Sequence, residues 1–229
     1  MVTEFGSFEI KGIEEAKRMV SSKFVKEALA KAIYETAKDI KQAEIDEMKE
    51  VFDRPTPYTL NSLQIRTSKS ELTGEVGFKD FAGKGTPAGK YLQPEVFGGG
   101  RGLKRSEKIL GSYWVPGPGL KLDRYGNVSG GTITRILSQL RLFSEVGYTM
   151  NRRGSGRGRN PSRIFLIRKG SSSHLHPGVW EAKGRSIKPL LLFVDSPQYS
   201  ARLKFADIGK KVIKERMQTR FSEAIKANI

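Results

Sequence analysis

The two histidines of the chain are candidates for chemistry, because imidazole is well suited to proton transfer and metal binding near neutral pH. The chain has 229 residues and no cysteine, so His174 and His176 are its only imidazole or thiol groups. A serine–histidine–aspartate relay would have to use one of them, yet they lie in a serine-rich turn that ends at Pro177. A metal site would need carboxylate ligands, and none occurs between Glu145 and Glu181. We therefore expect both histidines to lie in a solvated loop.

Two glycine-rich stretches have the composition of a phosphate-binding loop but not its spacing. In the first, five residues separate Gly83 from Gly89 where a Walker-type loop has four, and Tyr91 stands where Ser or Thr would bind magnesium. The second, residues 154–158, neither follows a predicted buried strand nor begins a predicted helix. We therefore expect no nucleotide and no other cofactor.

Carboxylates cluster near the end of a predicted N-terminal helix, where they could hold the two metal ions of a nuclease. They are Glu44, Asp46, Glu47, Glu50 and Asp53. Since only some pairs of them share a helical face, a solvated surface accounts for them better. The sequence thus predicts no catalytic residue, no cofactor and no metal site, and we expect that the protein is not an enzyme.

The positive charge of the chain is large and unevenly distributed. Lys and Arg number 41 against 24 Asp and Glu, a net charge of +17, and residues 101–170 alone contribute +12. The candidate interaction residues in this stretch are Arg152, Arg153, Arg157, Arg159 and Arg163. Such a cluster predicts salt-dependent, sequence-independent contact with the phosphates of DNA. Basic glycine-rich loops also dock on acidic partners or neighbouring subunits, so both interpretations stay open.

Composition also bounds the compartment. Without cysteine there is no disulfide framework of the kind found in secreted domains, so an intracellular protein is expected. The longest apolar run, residues 189–194, is far shorter than the roughly 18 residues of a membrane span. The N-terminus lacks the basic-then-apolar pattern of a signal peptide. We expect a soluble, unexported protein that does not contact membranes.

Hydrophobic periodicity predicts an α+β fold in which a long N-terminal helix and a C-terminal helix pack on a small, mostly antiparallel sheet. The predicted elements, in chain order, are a helix at 24–52, a hairpin at 63–67 and 72–78, a helix at 132–146, strands at 163–168 and 187–194, and a helix at 204–227. The second of those strands should be central, because it is apolar on both faces.

Residues 83–131 differ from the rest of the chain in composition. They contain thirteen glycines and four prolines, and only residues 103–110 look helical. A stretch of this length and composition is typical of a functional extension or of a segment that a partner orders. The sequence therefore predicts an N-terminal helix and hairpin (1–82), a Gly/Pro-rich arm (83–131) and a last part (132–229) that completes the first domain.

One motif resembles a known family. Residues 51–63, Val-Phe-Asp-Arg-Pro-Thr-Pro-Tyr-Thr-Leu-Asn-Ser-Leu, are similar to the turn that follows a long N-terminal helix in a family of virion proteins from tailed bacteriophages and prophages. Further stretches that fit the family are 91–95 (Tyr-Leu-Gln-Pro-Glu), 99–101 (Gly-Gly-Arg) with Lys104, Arg105 and Glu107, 122–127 (Leu-Asp-Arg-Tyr-Gly-Asn), 177–180 (Pro-Gly-Val-Trp) and 188–194 (Lys-Pro-Leu-Leu-Leu-Phe-Val).

The order of elements also resembles that of lambda-type tail-completion proteins, which are minor tail protein Z-like. This resemblance implies a structural subunit of the neck or tail that forms a homo-oligomeric ring at the head–tail junction of the virion. It implies partners among the portal, adaptor and tail-tube or terminator proteins, and assembly in the host bacterial cytoplasm. The alternative is a sequence-independent DNA-binding protein that uses the Arg-rich loop.

Four further residues are candidates for contacts in such an assembly. Asp53 and Arg54 lie in the family-like turn, where they either pair with each other or contact a neighbouring subunit. Tyr125 lies in a predicted structural turn between Asp123 and Asn127. Trp114 is either an interface anchor or part of the core.

Overall fold

A computed structural model of the chain describes residues 8–9, 23–82, 86–142 and 162–227, and it has the predicted α+β fold. The chain forms two compact units. The terminal unit contains Met1–Gly99 and Tyr199–Ile229, and the inserted unit contains Gly100–Gln198. This division differs from the predicted three parts, because the inserted unit takes in most of the predicted arm together with the strands that follow it.

Helix α1 (Lys23–Val51) is the first long element of the terminal unit, as predicted. Its buried apolar residues recur every three or four positions, which is the spacing of one helical face. They include Leu29, Ile33, Ala37, Ile40 and Met48. After α1 the chain turns into the short helix α2 (Pro57–Leu60), where the hydroxyl of Thr56 caps the first turn by accepting the N–H of Thr59.

The predicted hairpin is present as strands β2 (Leu63–Ser68) and β3 (Thr73–Phe78), and β1 (Phe8–Glu9) extends the same antiparallel sheet in the order β1-β3-β2. Leu63 lies opposite Phe78, and Ile65 lies opposite Val76. These cross-strand pairs contribute to one hydrophobic cluster with α1. The sheet therefore covers the apolar face of the helix.

Helix α6 (Phe205–Lys226) packs along α1 in the same unit. The Thr36 hydroxyl donates to the Met217 sulfur at 3.4 Å, and Arg220 donates to both carboxylate oxygens of Asp39 at 2.8 Å. Both contacts join residues 181 positions apart, so the contact advances by three residues on both helices together. The two helices therefore run parallel.

The prediction that residues 83–131 form an irregular arm is wrong. This stretch contains helices α3 (Ala88–Phe97) and α4 (Arg105–Leu110), strands β4 (Gly99–Gly100) and β5 (Tyr113–Pro116), and the start of helix α5 (Gly130–Gln139). Of these elements, α4 confirms the helix predicted at 103–110. In α3 the apolar face formed by Ala88, Leu92 and Val96 packs on the core of the terminal unit. Pro94 and Gly89 hide this helix in the sequence, because both residues are poor helix formers.

The strands of the inserted unit that follow α5 are β6 (Arg163–Ile167), β7 (Gly178–Lys183) and β8 (Ser186–Val194). Together with β5 they form the main sheet of this unit, which has four antiparallel strands in the order β5-β8-β7-β6. Strand β8 is central, as predicted, whereas β7 was missed because its sequence mixes apolar and charged residues. Helix α5 ends at Gln139, and the last residues of the predicted helix 132–146 lie outside the described residues.

Where the chain passes between the units, β4 pairs with the short strand β9 (Gln198–Tyr199).

The C-terminal helix α6 was predicted within one residue at either end. No helix in the described part of the chain is long and apolar enough to cross a membrane.

Two glycines fix the loop after β5 against the central strand. Gly117 donates its N–H to the Leu190 carbonyl at 2.8 Å, and Gly119 donates to the Pro189 carbonyl at 3.0 Å. A Cβ atom on Gly117 would overlap the carbonyl oxygen of Pro189, and one on Gly119 would lie 2.8 Å from that oxygen. Neither approach leaves room for a side chain.

We predict that Gly117→Ala lowers the free energy of unfolding of the inserted unit by about 1–3 kcal/mol, because the added methyl group displaces the central strand. Both tryptophans of the chain, Trp114 and Trp180, lie in this unit, so urea unfolding followed by their fluorescence reports on it. The control is Gly131→Ala in α5, where nothing lies within 4 Å of the added atom. The control should be neutral or stabilising by up to about 1 kcal/mol. Equal unfolding midpoints for the two variants would contradict this packing.

Candidate functional site

The inserted unit holds most of the excess positive charge. It contains 18 of the 41 basic and 5 of the 24 acidic residues, a net charge of +13, which leaves +4 for the terminal unit. Two of its acids are already paired, because Glu107 binds Arg101 and Asp195 accepts from Lys169 at 2.6 Å. The positive charge of this unit is therefore only slightly compensated within it.

The Arg-rich cluster can be followed only in part. Arg152, Arg153, Arg157 and Arg159 lie outside the described residues. Arg163 begins β6, where it lies opposite Ala182 and is exposed to solvent. Further cations of the inserted unit are exposed to solvent; they include Lys104, Arg105, Lys108, Lys121, Arg135, Arg141, Arg168, Lys183, Arg185 and Lys188.

Asp53 and Arg54 pair with each other, which is one of the two predicted alternatives. The Arg54 Nε donates to Asp53 Oδ1 at 3.0 Å, and Nη2 donates to Oδ2 at 2.9 Å. These hydrogen bonds lower the pKa of the Asp53 carboxyl. Arg54 also has a positive φ of 48°, so the pair lies at a tight backbone turn between α1 and α2.

Tyr125 lies in the predicted turn. Asp123 Oδ1 accepts the backbone N–H of Tyr125 at 2.9 Å and that of Asn127 at 2.8 Å. The guanidinium of Arg124 lies 4.7 Å from the centre of the Tyr125 ring. The side chain of Asp123 thus organises the loop, and the Tyr125 ring is half-buried.

Trp114 belongs to the core of the inserted unit. It packs against the buried cluster around Leu191 and Phe193, and its indole N–H donates to the Ser106 hydroxyl at 3.3 Å. Trp180 is half-buried in β7 and donates to the His176 carbonyl at 2.9 Å. Both indole groups are therefore engaged inside the unit.

The two histidines lie in an exposed loop. In the tautomer that carries the proton on Nδ1, His176 donates to the Pro177 carbonyl at 2.8 Å. Within residues 8–9, 23–82, 86–142 and 162–227 there is no group of three or more His, Asp and Glu side chains placed to hold a metal ion.

The inserted unit contains a buried ion pair that was not predicted from the sequence. Glu107 is 1% exposed, and its two carboxylate oxygens each accept from Arg101 at 2.6 Å. The Lys104 N–H donates to the same carboxylate at 2.6 Å, and the Tyr113 hydroxyl donates to the Arg101 carbonyl at 2.7 Å. Burial would raise the pKa of Glu107, but the hydrogen bonds from Arg101 and Lys104 outweigh it and lower that pKa. The family-like Gly-Gly-Arg motif therefore fixes the chain to α4.

The expectation that Glu44 is part of a solvated surface is wrong. Its side chain is 0% exposed on the face of α1 that also carries Ile40 and Met48. Neither carboxylate oxygen has a hydrogen-bond partner among the described residues. Burial, with a smaller contribution from the charge of Glu47, raises its pKa from 4.5 to about 8. The carboxyl group is therefore mostly protonated at neutral pH.

The terminal unit exposes aromatic side chains around a shallow cleft of about 390 Å³. We call it the aromatic cleft; its lining residues are Pro57, Tyr58, Asn61, Ser62, Lys79, Phe81, Ala82 and Ala88. Phe81 is 79% exposed and Tyr58 is 50% exposed. Exposed aromatic groups that share a concave surface are typical of protein–protein contact sites.

The wall of the aromatic cleft is held by hydrogen bonds to α3 and the residues before it. The Tyr58 hydroxyl donates to the Thr86 carbonyl at 3.3 Å, and the Thr59 hydroxyl lies 2.9 Å from the Tyr91 hydroxyl. The Ser62 hydroxyl binds the Thr59 carbonyl, which tightens the turn after α2. The turn therefore presents Tyr58 from a fixed backbone.

Comparison of the chain with protein-family models, with curated proteins and with solved structures found no match.

We predict that stability falls as pH rises because of Glu44. Between the unfolded pKa of 4.5 and the folded pKa of about 8, the folded state keeps a proton that the unfolded state has lost. Its contribution is thus fully present below pH 4.5 and falls by about 1.4 kcal/mol per pH unit until the folded group ionises.

Glu44→Met should remove this contribution. The free energy of unfolding of the variant should therefore fall less steeply between pH 5 and pH 8 than that of the wild type. Urea unfolding at several pH values, followed by far-ultraviolet circular dichroism, measures the difference. Glu50→Met, at an exposed position of the same helix, is the control and should keep the wild-type slope. Identical slopes for wild type and Glu44→Met would rule out the buried proton.

Proposed function

We propose that this protein is a non-enzymatic structural subunit of a tailed-phage virion, of the neck or tail-completion type. In this proposal it forms a homo-oligomeric ring at the head–tail junction and contacts portal, adaptor or tail-tube and terminator proteins. It is assembled in the host bacterial cytoplasm and ends in the virion. The support comes from the family-like motifs and from an exposed surface that one of those motifs builds.

The aromatic cleft is the observation that carries the proposal. Its lining residues Pro57, Tyr58, Asn61 and Ser62 all belong to the stretch 51–63 that resembles the virion family. The hydroxyl of Tyr91, which begins the family-like stretch 91–95, supports the same wall. Residues from two of the family-like stretches therefore lie together at a surface suited to a protein partner.

A ring has heterologous interfaces, in which one patch of a subunit meets a different patch of its neighbour. The cleft suits one half of such an interface, because it combines a concave apolar surface with the protruding ring of Phe81. Aromatic residues at the centre of an interface commonly contribute much of its binding energy. The proposal therefore assigns a central contact to Phe81 and Tyr58.

We predict that Phe81→Ser blocks assembly while leaving the fold intact. Because the side chain is 79% exposed, its loss should change the free energy of unfolding by less than about 0.5 kcal/mol. In a phage or prophage deleted for the gene, expression of the wild-type protein should restore infectious particles. Expression of Phe81→Ser should leave unjoined heads and tails, counted by electron microscopy.

The control is Phe24→Ser, which changes a phenylalanine near the start of α1 whose side chain is 36% exposed. This control should restore infectivity as the wild type does. Joined, infectious particles in the absence of the gene would overturn the proposed function. Full rescue by Phe81→Ser would show that the aromatic cleft is not needed for the proposed function.

The charge of the inserted unit favours a second candidate, a sequence-independent DNA-binding protein. A unit of 99 residues with a net charge of +13 should bind duplex phosphates with an affinity that falls steeply with salt. Fluorescence anisotropy with a labelled duplex at several salt concentrations tests this. Substitution of Arg152, Arg153, Arg157 and Arg159 by Gln should flatten the salt dependence. Failure to bind DNA at low salt would exclude this candidate.

A further inference from the structure

We propose that a lysine-lined cleft in the terminal unit binds the phosphates of a single nucleic-acid strand. We call it the lysine cleft, and it lies between the first third of α1 and the end of β2. Its volume is about 670 Å³, which is in the usual range for ligand sites. The lining residues are Lys23, Lys26, Glu27, Ala30, Lys31, Tyr34, Thr67 and Lys69.

The helical residues of the lysine cleft share one face of α1, since they recur at intervals of three and four positions. Thr67 lies within β2, and Lys69 follows its last residue, so these two form the opposite wall. The concave surface therefore has a helix on one side and the tip of a hairpin on the other.

Charge is the strongest argument for an anionic ligand. Among the described residues that line the cleft, four are lysines and one is a carboxylate, Glu27, which lies 3.9 Å from Lys23. Among the residues that the structure describes, Lys26, Lys31 and Lys69 have no carboxylate within ion-pair distance. Like charges that converge on one concavity repel one another, and a polyanion relieves this repulsion while releasing its own counterions.

The uncharged residues favour a nucleic-acid strand over an acidic peptide. Tyr34 is 46% exposed in the wall of the cleft, where its ring is available to stack on a base. The ring is oriented in part by Lys38, whose ammonium lies 5.6 Å from its centre and pairs with Glu35 at 2.8 Å. Only an unpaired base can stack in this way, so a single strand should bind better than a duplex.

This site lies in the terminal unit and shares no residue with the Arg-rich loop or the aromatic cleft. It therefore goes beyond both candidate functions, and its failure would leave them untouched. Lysine and tyrosine together give sequence-independent binding, because every nucleotide has a phosphate and every base has a stacking face. The expected ligand is any single strand long enough to cross the cleft.

Lysine footprinting of the wild-type protein tests the site directly. The full-length protein is acetylated with and without a twelve-nucleotide deoxythymidine strand at low salt, and each lysine is quantified by mass spectrometry. The strand should reduce acetylation of Lys26, Lys31 and Lys69 at least threefold. Lys210 and Lys214 on the exposed face of α6 should be unchanged. Equal protection of all five lysines, or equal protection by poly-glutamate, would overturn the proposal.

Paired variants supply the energetic test, in a background where Arg152, Arg153, Arg157 and Arg159 are replaced by Gln. Lys26→Gln with Lys69→Gln should weaken strand binding roughly tenfold and flatten the log–log salt dependence by about 1.4. The control, Lys210→Gln with Lys214→Gln, removes the same charge from α6 and should retain the affinity. An equal loss in both double variants would show that only overall charge matters, and would reject the site.

Tyr34→Leu separates stacking from charge. It should weaken binding of the single strand severalfold and leave binding of a duplex of the same sequence unchanged. Equal effects on single strand and duplex would contradict the assignment of Tyr34. Circular dichroism of each variant checks that the fold is retained, and the footprinting result stands without any substitution.

Discussion

The parallel pairing of α1 and α6 is the constraint on which the terminal unit depends. Asp39 and Arg220 form a two-point ion pair, and Thr36 contacts Met217 one helical turn earlier. The hydrogen bonds that Arg220 donates to Asp39 and Glu223 raise the pKa of its guanidinium further, so this residue stays charged at any relevant pH. The two contacts fix both the direction and the register of the helices.

Parallel helices cannot be joined by a short turn. Helix α1 has 29 residues and spans about 43 Å, so the chain must return over that length before α6 begins. The hairpin, α3 and the whole inserted unit lie within this return. Glu95 helps to anchor the end of this return. The Glu95 carboxylate binds Arg202, and the Glu95 carbonyl accepts the N–H of Leu203. The parallel arrangement thus requires a long connection between the two helices, and the inserted unit is part of that connection.

The elements predicted correctly are those in which a single periodicity continues without interruption. Helix α1, the hairpin, the central strand β8 and helix α6 belong to this group. Helix α3 was missed because Pro94 and Gly89 contradict a pattern that tertiary packing nonetheless satisfies. Burial in the hydrophobic cluster of the terminal unit supplies the free energy that local propensity lacks.

The site residues show a similar division. Local hydrogen bonds, such as those of Asp123 and the pairing of Asp53 with Arg54, were open to prediction because short turns dictate them. Glu44 lies four residues after Ile40 and four before Met48, so the apolar spacing of α1 already included it. A rule that assigns every carboxylate to the surface hid that signal. The aromatic cleft and the lysine cleft join residues distant in sequence, which a linear pattern does not reveal.

We propose that the protein acts by assembly in a virion, through a surface built by the family-like turn. Cryo-electron microscopy of phage particles that encode this chain tests it most directly. The account predicts copies in a closed ring at the head–tail junction, with Phe81 and Tyr58 buried against a neighbouring subunit. Particles that lack the chain, or a ring in which both side chains stay exposed to solvent, would contradict it.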